Sequence, residues 1–149
     1  MVPFYLERSK GKKEDNIEIA IKYCRSSLKT YIKERFPSNW ARSQYALGNA
    51  YYSRVKKDRS QNIERSIECY HKALQVFTRG QLLTHYWTSL QYCLSVAYLS
   101  RLKGARPYNL RQAFTHAVQA LSFVPRDKMP EAWAKVTYQM AKVYEAQRN

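Results

Sequence analysis

Glycine and proline are scarce in this chain of 149 residues, at four and five respectively. Collagen-like, linker-rich and turn-dense all-β architectures need more of both. Acidic side chains are scarce too, with 11 Asp and Glu against 26 Lys and Arg, a net charge of +15. The three cysteines, Cys24, Cys69 and Cys93, cannot all pair with one another, and none stands in a C-x-x-C spacing. Each lies in an apolar-periodic stretch, which predicts a reduced, buried thiol. No run approaches the roughly 20 apolar residues that span a bilayer. The opening Val2-Pro3-Phe4-Tyr5-Leu6 has neither the length nor the basic flank of a signal peptide. A cytoplasmic protein with no membrane partner is expected. With 45% hydrophobic and 14% aromatic residues the chain is also too apolar for a disordered basic tail.

What is present is a repeat. Asn16, Asn62 and Asn109 stand 46 and 47 residues apart, and Trp40, Trp87 and Trp133 stand 47 and 46 apart. Each Asn opens a similar segment, Asn-Ile-Glu-Ile-Ala-Ile, Asn-Ile-Glu-Arg-Ser-Ile or Asn-Leu-Arg-Gln-Ala-Phe. Each Trp is followed by a Tyr at five residues, a large apolar residue at seven and another Tyr at eleven. Offsets of zero, seven and eleven coincide on a helix of 3.6 residues per turn. Trp40, Leu47 and Tyr51 therefore form one core stripe, as do Trp87, Leu94 and Tyr98, and Trp133, Met140 and Tyr144.

Each repeat resolves into two helices. One type is predicted over 15–34, 61–79 and 108–123, N-capped by its Asn, and the other over 38–57, 84–103 and 130–147. Pro37 and Pro130 fall where a helix begins, a position that tolerates proline. The polar stretches Lys56–Gln61 and Lys103–Tyr108 are predicted loops. Residues 3–8 match the end of a preceding helix, giving a single domain over 1–149 with repeats at 16–61, 62–108 and 109–149. The fold class predicted is an all-α stack of antiparallel helix pairs. Such arrays need polar end caps, so the end near Tyr144 is expected to dock a second copy or another chain.

Leu47-Gly48 with Tyr51, then Ser66, Tyr70 and Ala73-Leu74, resembles the tetratricopeptide repeat. Ala113, Ala117 and Ala120-Leu121 repeat its second half. The longer wording, Phe36-Pro37-Ser38-Asn39-Trp40-Ala41 and Leu47-Gly48-Asn49-Ala50-Tyr51-Tyr52-Ser53-Arg54, is similar to a long-period variant common in cyanobacterial proteins. There it often stands beside a CHAT peptidase domain. The resemblance implies a solenoid that binds proteins, and for the variant an arm of a peptidase-type assembly.

No catalytic centre stands out. His71, His85 and His116 occupy unrelated repeat positions, Gly48 and Gly104 are isolated, and no metal-ligand spacing occurs. A cysteine–histidine dyad would need tertiary assembly. No enzyme activity, cofactor or metal is expected. Opposite the core stripe lie Arg42, Tyr45, Asn49 and Tyr52, with Tyr92, Lys135, Tyr138 and Lys142 in the later repeats. In a tetratricopeptide-like stack these would line the concave groove, where tyrosines beside cations suit an acidic peptide or protein. The alternative for the tyrosines is packing between neighbouring repeats. The basic excess leans to the N-terminal third, with Lys10, Lys12, Lys13, Lys56, Lys57 and Arg59. Such a field speeds encounter with acidic partners. It also makes nucleic acid the rival ligand, although no nucleic-acid-binding motif is present.

Overall fold

The apolar periodicity becomes helix throughout the computed structural model, which describes residues 13–79 and 84–149. Six helices run in order among these residues: α1 (Lys13–Thr30), α2 (Pro37–Ser53), α3 (Arg59–Leu74), α4 (Thr84–Ser100), α5 (Arg106–Leu121) and α6 (Pro130–Arg148). No strand occurs among the described residues, so the chain is all-α. The predicted helix remnant at 3–8 and the lysines at 10 and 12 lie outside the described residues. No described helix is long and apolar enough to cross a membrane.

The chain divides into two compact units at Thr78 and Arg79. In the first, α2 packs against α1 on one side and α3 on the other. Ile17, Ala20, Ile21 and Cys24 of α1 meet Leu47, Ala50 and Tyr51 of α2, with Cys69 of α3 joining them. The crossing of α2 and α3 is close at Gly48, where an added Cβ would stand 2.6 Å from the ring of buried Tyr70. In the second unit α4 packs on α5, α5 on α6, and α4 also touches α6. Its core holds Trp87, Leu90, Leu94, Ala97 and Tyr98 with Ala113, Ala117, Ala120 and Val124.

The asparagines do not cap their helices. Each helix starts three residues earlier, so Asn16, Asn62 and Asn109 are its fourth residue, and all three are buried. Asp58 is the true N-cap of α3, accepting from the Gln61 N–H at 3.3 Å. At α5 the N-cap position is Ala105, with Pro107 in the first turn. Asn62 instead turns its amide back on the incoming loop, donating to the carbonyls of Arg54 at 3.2 Å and Lys56 at 3.0 Å. Asn109 does the same to Lys103 at 2.9 Å and accepts from the Arg101 guanidinium. Both loops then pass through a left-handed residue at the same register, Lys57 (φ 67°) in the first and Gly104 (φ 79°) in the second. Glycine bears that backbone without strain and lysine does not.

The core stripe needs correction in α6. Trp87, Leu94 and Tyr98 are buried as expected, as are Leu47 and Tyr51. Trp40 and Trp133 are only half-buried, each roofed by a cation seven residues earlier in the sequence: Lys33 Nζ lies 5.5 Å from one ring and the Arg126 guanidinium 5.0 Å from the other. Tyr144 is 51% exposed and makes an edge contact with Phe114. In α6 the buried positions are Val136, Gln139 and Val143, rotated by about a quarter-turn from the stripe. The rotation has a simple cause. α2 packs between α1 and α3, whereas α6 packs on α5 and α4 among the described residues, and its buried flank is the one toward them.

Arg54, itself buried, closes the first unit by gripping Glu18 of α1 with both arms of its guanidinium, at 2.6 and 2.7 Å. That bond holds the Glu18 carboxyl below its ordinary range.

Two outcomes follow from these contacts. Asn62→Ala leaves two loop carbonyls without their donor and should cost about 1–3 kcal/mol in urea unfolding. Asn109→Ala gives up the longer bond from Arg101 but leaves only one loop carbonyl without its donor, and should cost less; equal or reversed losses would refute the clamp. Because the Glu18 pKa is depressed on folding, the bond to Arg54 stabilises above the unfolded carboxyl pKa and is lost as pH falls through the folded value. Glu18→Gln should therefore flatten the acid limb of the stability profile and leave the shape above neutral pH unchanged.

Candidate functional site

The groove residues predicted from the sequence fall into two sets, one in each unit. In the first, Arg42 is exposed on α2, and Tyr45, Asn49 and Tyr52 are half-buried. Tyr70 of α3 ties two of these together: its hydroxyl donates to Asn49 Oδ1 at 2.9 Å and its ring lies 6.4 Å from that of Tyr45. Tyr52 sits under the Arg59 guanidinium, 4.7 Å from the ring centroid, and its carbonyl accepts from the same arginine. The Asn49 amide and the rings of Tyr45 and Tyr52 are thus engaged across the α2–α3 crossing and its exit loop.

The second unit is arranged differently. Lys135 of α6 reaches across to α4 and places Nζ 4.5 Å from the ring centroid of half-buried Tyr92. Two turns further on, Lys142 lies 5.0 Å from the ring of Tyr138. Tyr138 is 67% exposed, so its ring is available to a partner. The four residues form a face of aromatic planes and ammonium groups along α4 and α6. Cation–π contacts of this exposure contribute about 0.5–1 kcal/mol each, enough to set side-chain direction rather than to hold the fold.

Beneath this face runs a polar core that the sequence did not reveal. The His116 Nδ1 is 2.6 Å from Gln91 Oε1, and its ring stacks on Tyr98 at 5.6 Å. Ser95 Oγ donates to the Ala113 carbonyl at 2.7 Å and accepts from Gln139 Nε2 at 3.3 Å, joining α4, α5 and α6. Gln139 is fully buried. Its amide fixes the register of α6 against α4, and hence the reach of Lys135 onto Tyr92. Glutamine at that position was the one signal available, because a polar residue amid Val136 and Val143 invites a buried partner.

Among the described residues no group of His, Cys, Asp or Glu converges to hold a metal ion. Of the histidines, His116 is core, while His71 and His85 are exposed. Cys24 and Cys69 are buried, and loss of hydration pushes their thiols up to about 11 and about 12. Cys93 corrects the expectation of three buried thiols, since it is half-buried on α4. No family model, curated protein or solved structure matches this chain.

A thiol with a raised pKa carries little thiolate near neutrality and reacts slowly. Native labelling at pH 8 should therefore modify Cys93 at least tenfold faster than Cys24 or Cys69, which should react only after unfolding. Rapid modification of either buried thiol would show an activated cysteine.

Proposed function

We propose that this chain is a tetratricopeptide-like helical-repeat module that works by holding an acidic peptide or protein, without catalysis of its own. Support for the repeat reading comes from register. Asn62 and Asn109 make the same turn-back bond to their loops, and Lys57 and Gly104 take the same left-handed backbone. The caps agree as well: Phe36 and Met129 share one backbone conformation ahead of Trp40 and Trp133, whose N–H groups bond back to them at 2.9 Å. Sizes also exchange between copies, with Gly48 facing Tyr70 in the first unit where Ser95 and Ala117 stand at the equivalent positions of the second.

The single observation that carries the binding reading is the pairing of exposed Tyr138 with Lys142, beside Lys135 on Tyr92. An exposed tyrosine stiffened by a cation offers a flat apolar contact at little entropic cost, and the ammonium supplies an anion contact at its edge. An extended chain bearing carboxylates beside apolar side chains matches that alternation. The second reading, nucleic acid held by surface charge, rests on the net charge of +15.

Fluorescence anisotropy with a labelled peptide of alternating Glu and Leu tests both. Tyr138→Ala with Lys142→Glu should weaken capture at least tenfold, and Lys135→Gln several-fold, with helix content unchanged. Unaltered binding in the double variant would overturn the peptide reading. Tighter binding of single-stranded RNA than of the peptide at about 0.15 M salt would replace it with the nucleic-acid reading.

A further inference from the structure

A concentration of charge gathers in the first unit, in a cleft of about 490 Å³. One wall is the outer face of α1, where Lys22, Arg25 and Lys29 recur at intervals of three and four residues and so share a side of the helix over about 10 Å. Arg65 of α3 forms the opposite wall, and Lys57 of the loop between α2 and α3 closes one end. Glu18 lines the cleft as well, but both of its carboxylate oxygens are held by Arg54. Six cations therefore face one carboxylate, and that carboxylate is already neutralised.

The side chains are positioned and not merely collected. Arg25 donates to the Tyr51 hydroxyl at 2.8 Å, and its guanidinium lies 6.0 Å from the same ring that Arg65 approaches to 5.5 Å. Two like charges thus converge on one tyrosine, an arrangement that raises the energy of the empty site and falls when an anion lies between them. Lys22, Lys29, Lys57 and Arg65 form no ion pair with any described residue. Lys57 also holds a left-handed backbone where the matching loop has glycine. Strain kept at a residue whose ammonium edges a cleft points to use of that ammonium.

From this geometry we infer that the cleft is an anion site for a small oligophosphate, a molecule with two or three linked phosphoryl groups. The size lies within the range of ligand pockets. Guanidinium forks on facing walls match phosphoryl oxygens in pairs, and lysines spaced along α1 meet successive groups of a short chain. A single carboxylate or phosphate would leave most of these cations unanswered. Single-stranded nucleic acid is a poorer fit, because it needs aromatic faces on which bases stack. Tyr51, the ring that Arg25 and Arg65 both approach, is only 4% exposed and does not line the cleft.

Isothermal titration of the full chain at about 0.1 M salt tests the assignment, with inorganic tripolyphosphate, orthophosphate, sulfate and ATP as probes. Tripolyphosphate should bind at least tenfold more tightly than orthophosphate or sulfate. Equal affinity for ATP and tripolyphosphate would show that the phosphate chain alone is read, and tighter ATP binding would add the nucleoside. Lys22→Gln with Lys29→Gln should weaken tripolyphosphate about tenfold, while Lys128→Gln and Arg148→Gln, far along the sequence in the second unit, should not. Lys57→Gly separates binding from packing, since it should raise the unfolding midpoint of the apo protein and still weaken the anion several-fold. Equal affinity for all four anions at matched ionic strength, or wild-type affinity in the α1 double variant, overturns the proposal. So does displacement of tripolyphosphate by a single-stranded oligouridylate at lower phosphate concentration, which would make the cleft a nucleic-acid contact.

Discussion

A buried asparagine amide governs the turn between helices in each unit where that turn is described. Placed fourth in its helix, it reaches back to carbonyls of the incoming loop, Arg54 and Lys56 for Asn62 and Lys103 for Asn109. Those carbonyls come after the helical ladder has ended, and burying them without a donor would cost about as much as losing a hydrogen bond. The clamp has consequences beyond the turn. By fixing Arg54 it delivers the guanidinium to Glu18 of α1, and by fixing Lys56 it forces the next residue into the left-handed region. The anion cleft of the first unit is built on both effects.

Much of the fold was legible because the repeat is written in large apolar residues whose spacing survives substitution. Trp87, Leu94 and Tyr98 lie in the core, as the 0, 7, 11 spacing requires, and the helices start and stop within a few residues of the predicted bounds. What misled was the role of polar residues inside that pattern. Asn at the head of an apolar run reads as an N-cap, and only the burial of its side chain shows that the helix has already begun. The stripe in α6 failed for another reason, since a helix with neighbours on one side buries a flank that the periodicity of Trp133, Met140 and Tyr144 does not describe.

The candidate sites were legible unequally. Tyr92, Lys135, Tyr138 and Lys142 stand opposite the core stripe by count, and the pairing of Lys135 with Tyr92 adds what counting could not supply, a contact between residues 43 positions apart in the sequence. Arg42, Tyr45, Asn49 and Tyr52 share that register, but Tyr70 draws two of them into the α2–α3 crossing, Asn49 through its hydroxyl and Tyr45 through its ring. Register therefore selects a face, while the size of the residue on the next helix decides whether that face is spent on packing. The cleft needed the tertiary structure, because Arg65 lies some forty residues from the basic face of α1.

These features share one electrostatic problem. With 26 basic and 11 acidic side chains, most cations cannot find a carboxylate, and their mutual repulsion weighs against compaction. The aromatic residues answer part of it: Lys33, Arg59, Arg79, Arg126, Lys135 and Lys142 each lie over a ring. A ring face is a weak counterion, adequate for one cation in water and inadequate for two. Along most of the described chain the ratio is one cation to one ring. At Tyr51 it is two, and the one carboxylate that lines the adjoining cleft is held by Arg54. The substitution of rings for acids thus fails at Tyr51, beside a cleft where three more lysines gather and the walls stand open to a soluble anion. An excess of positive charge that looks diffuse in the sequence becomes, through that local failure, a defined site.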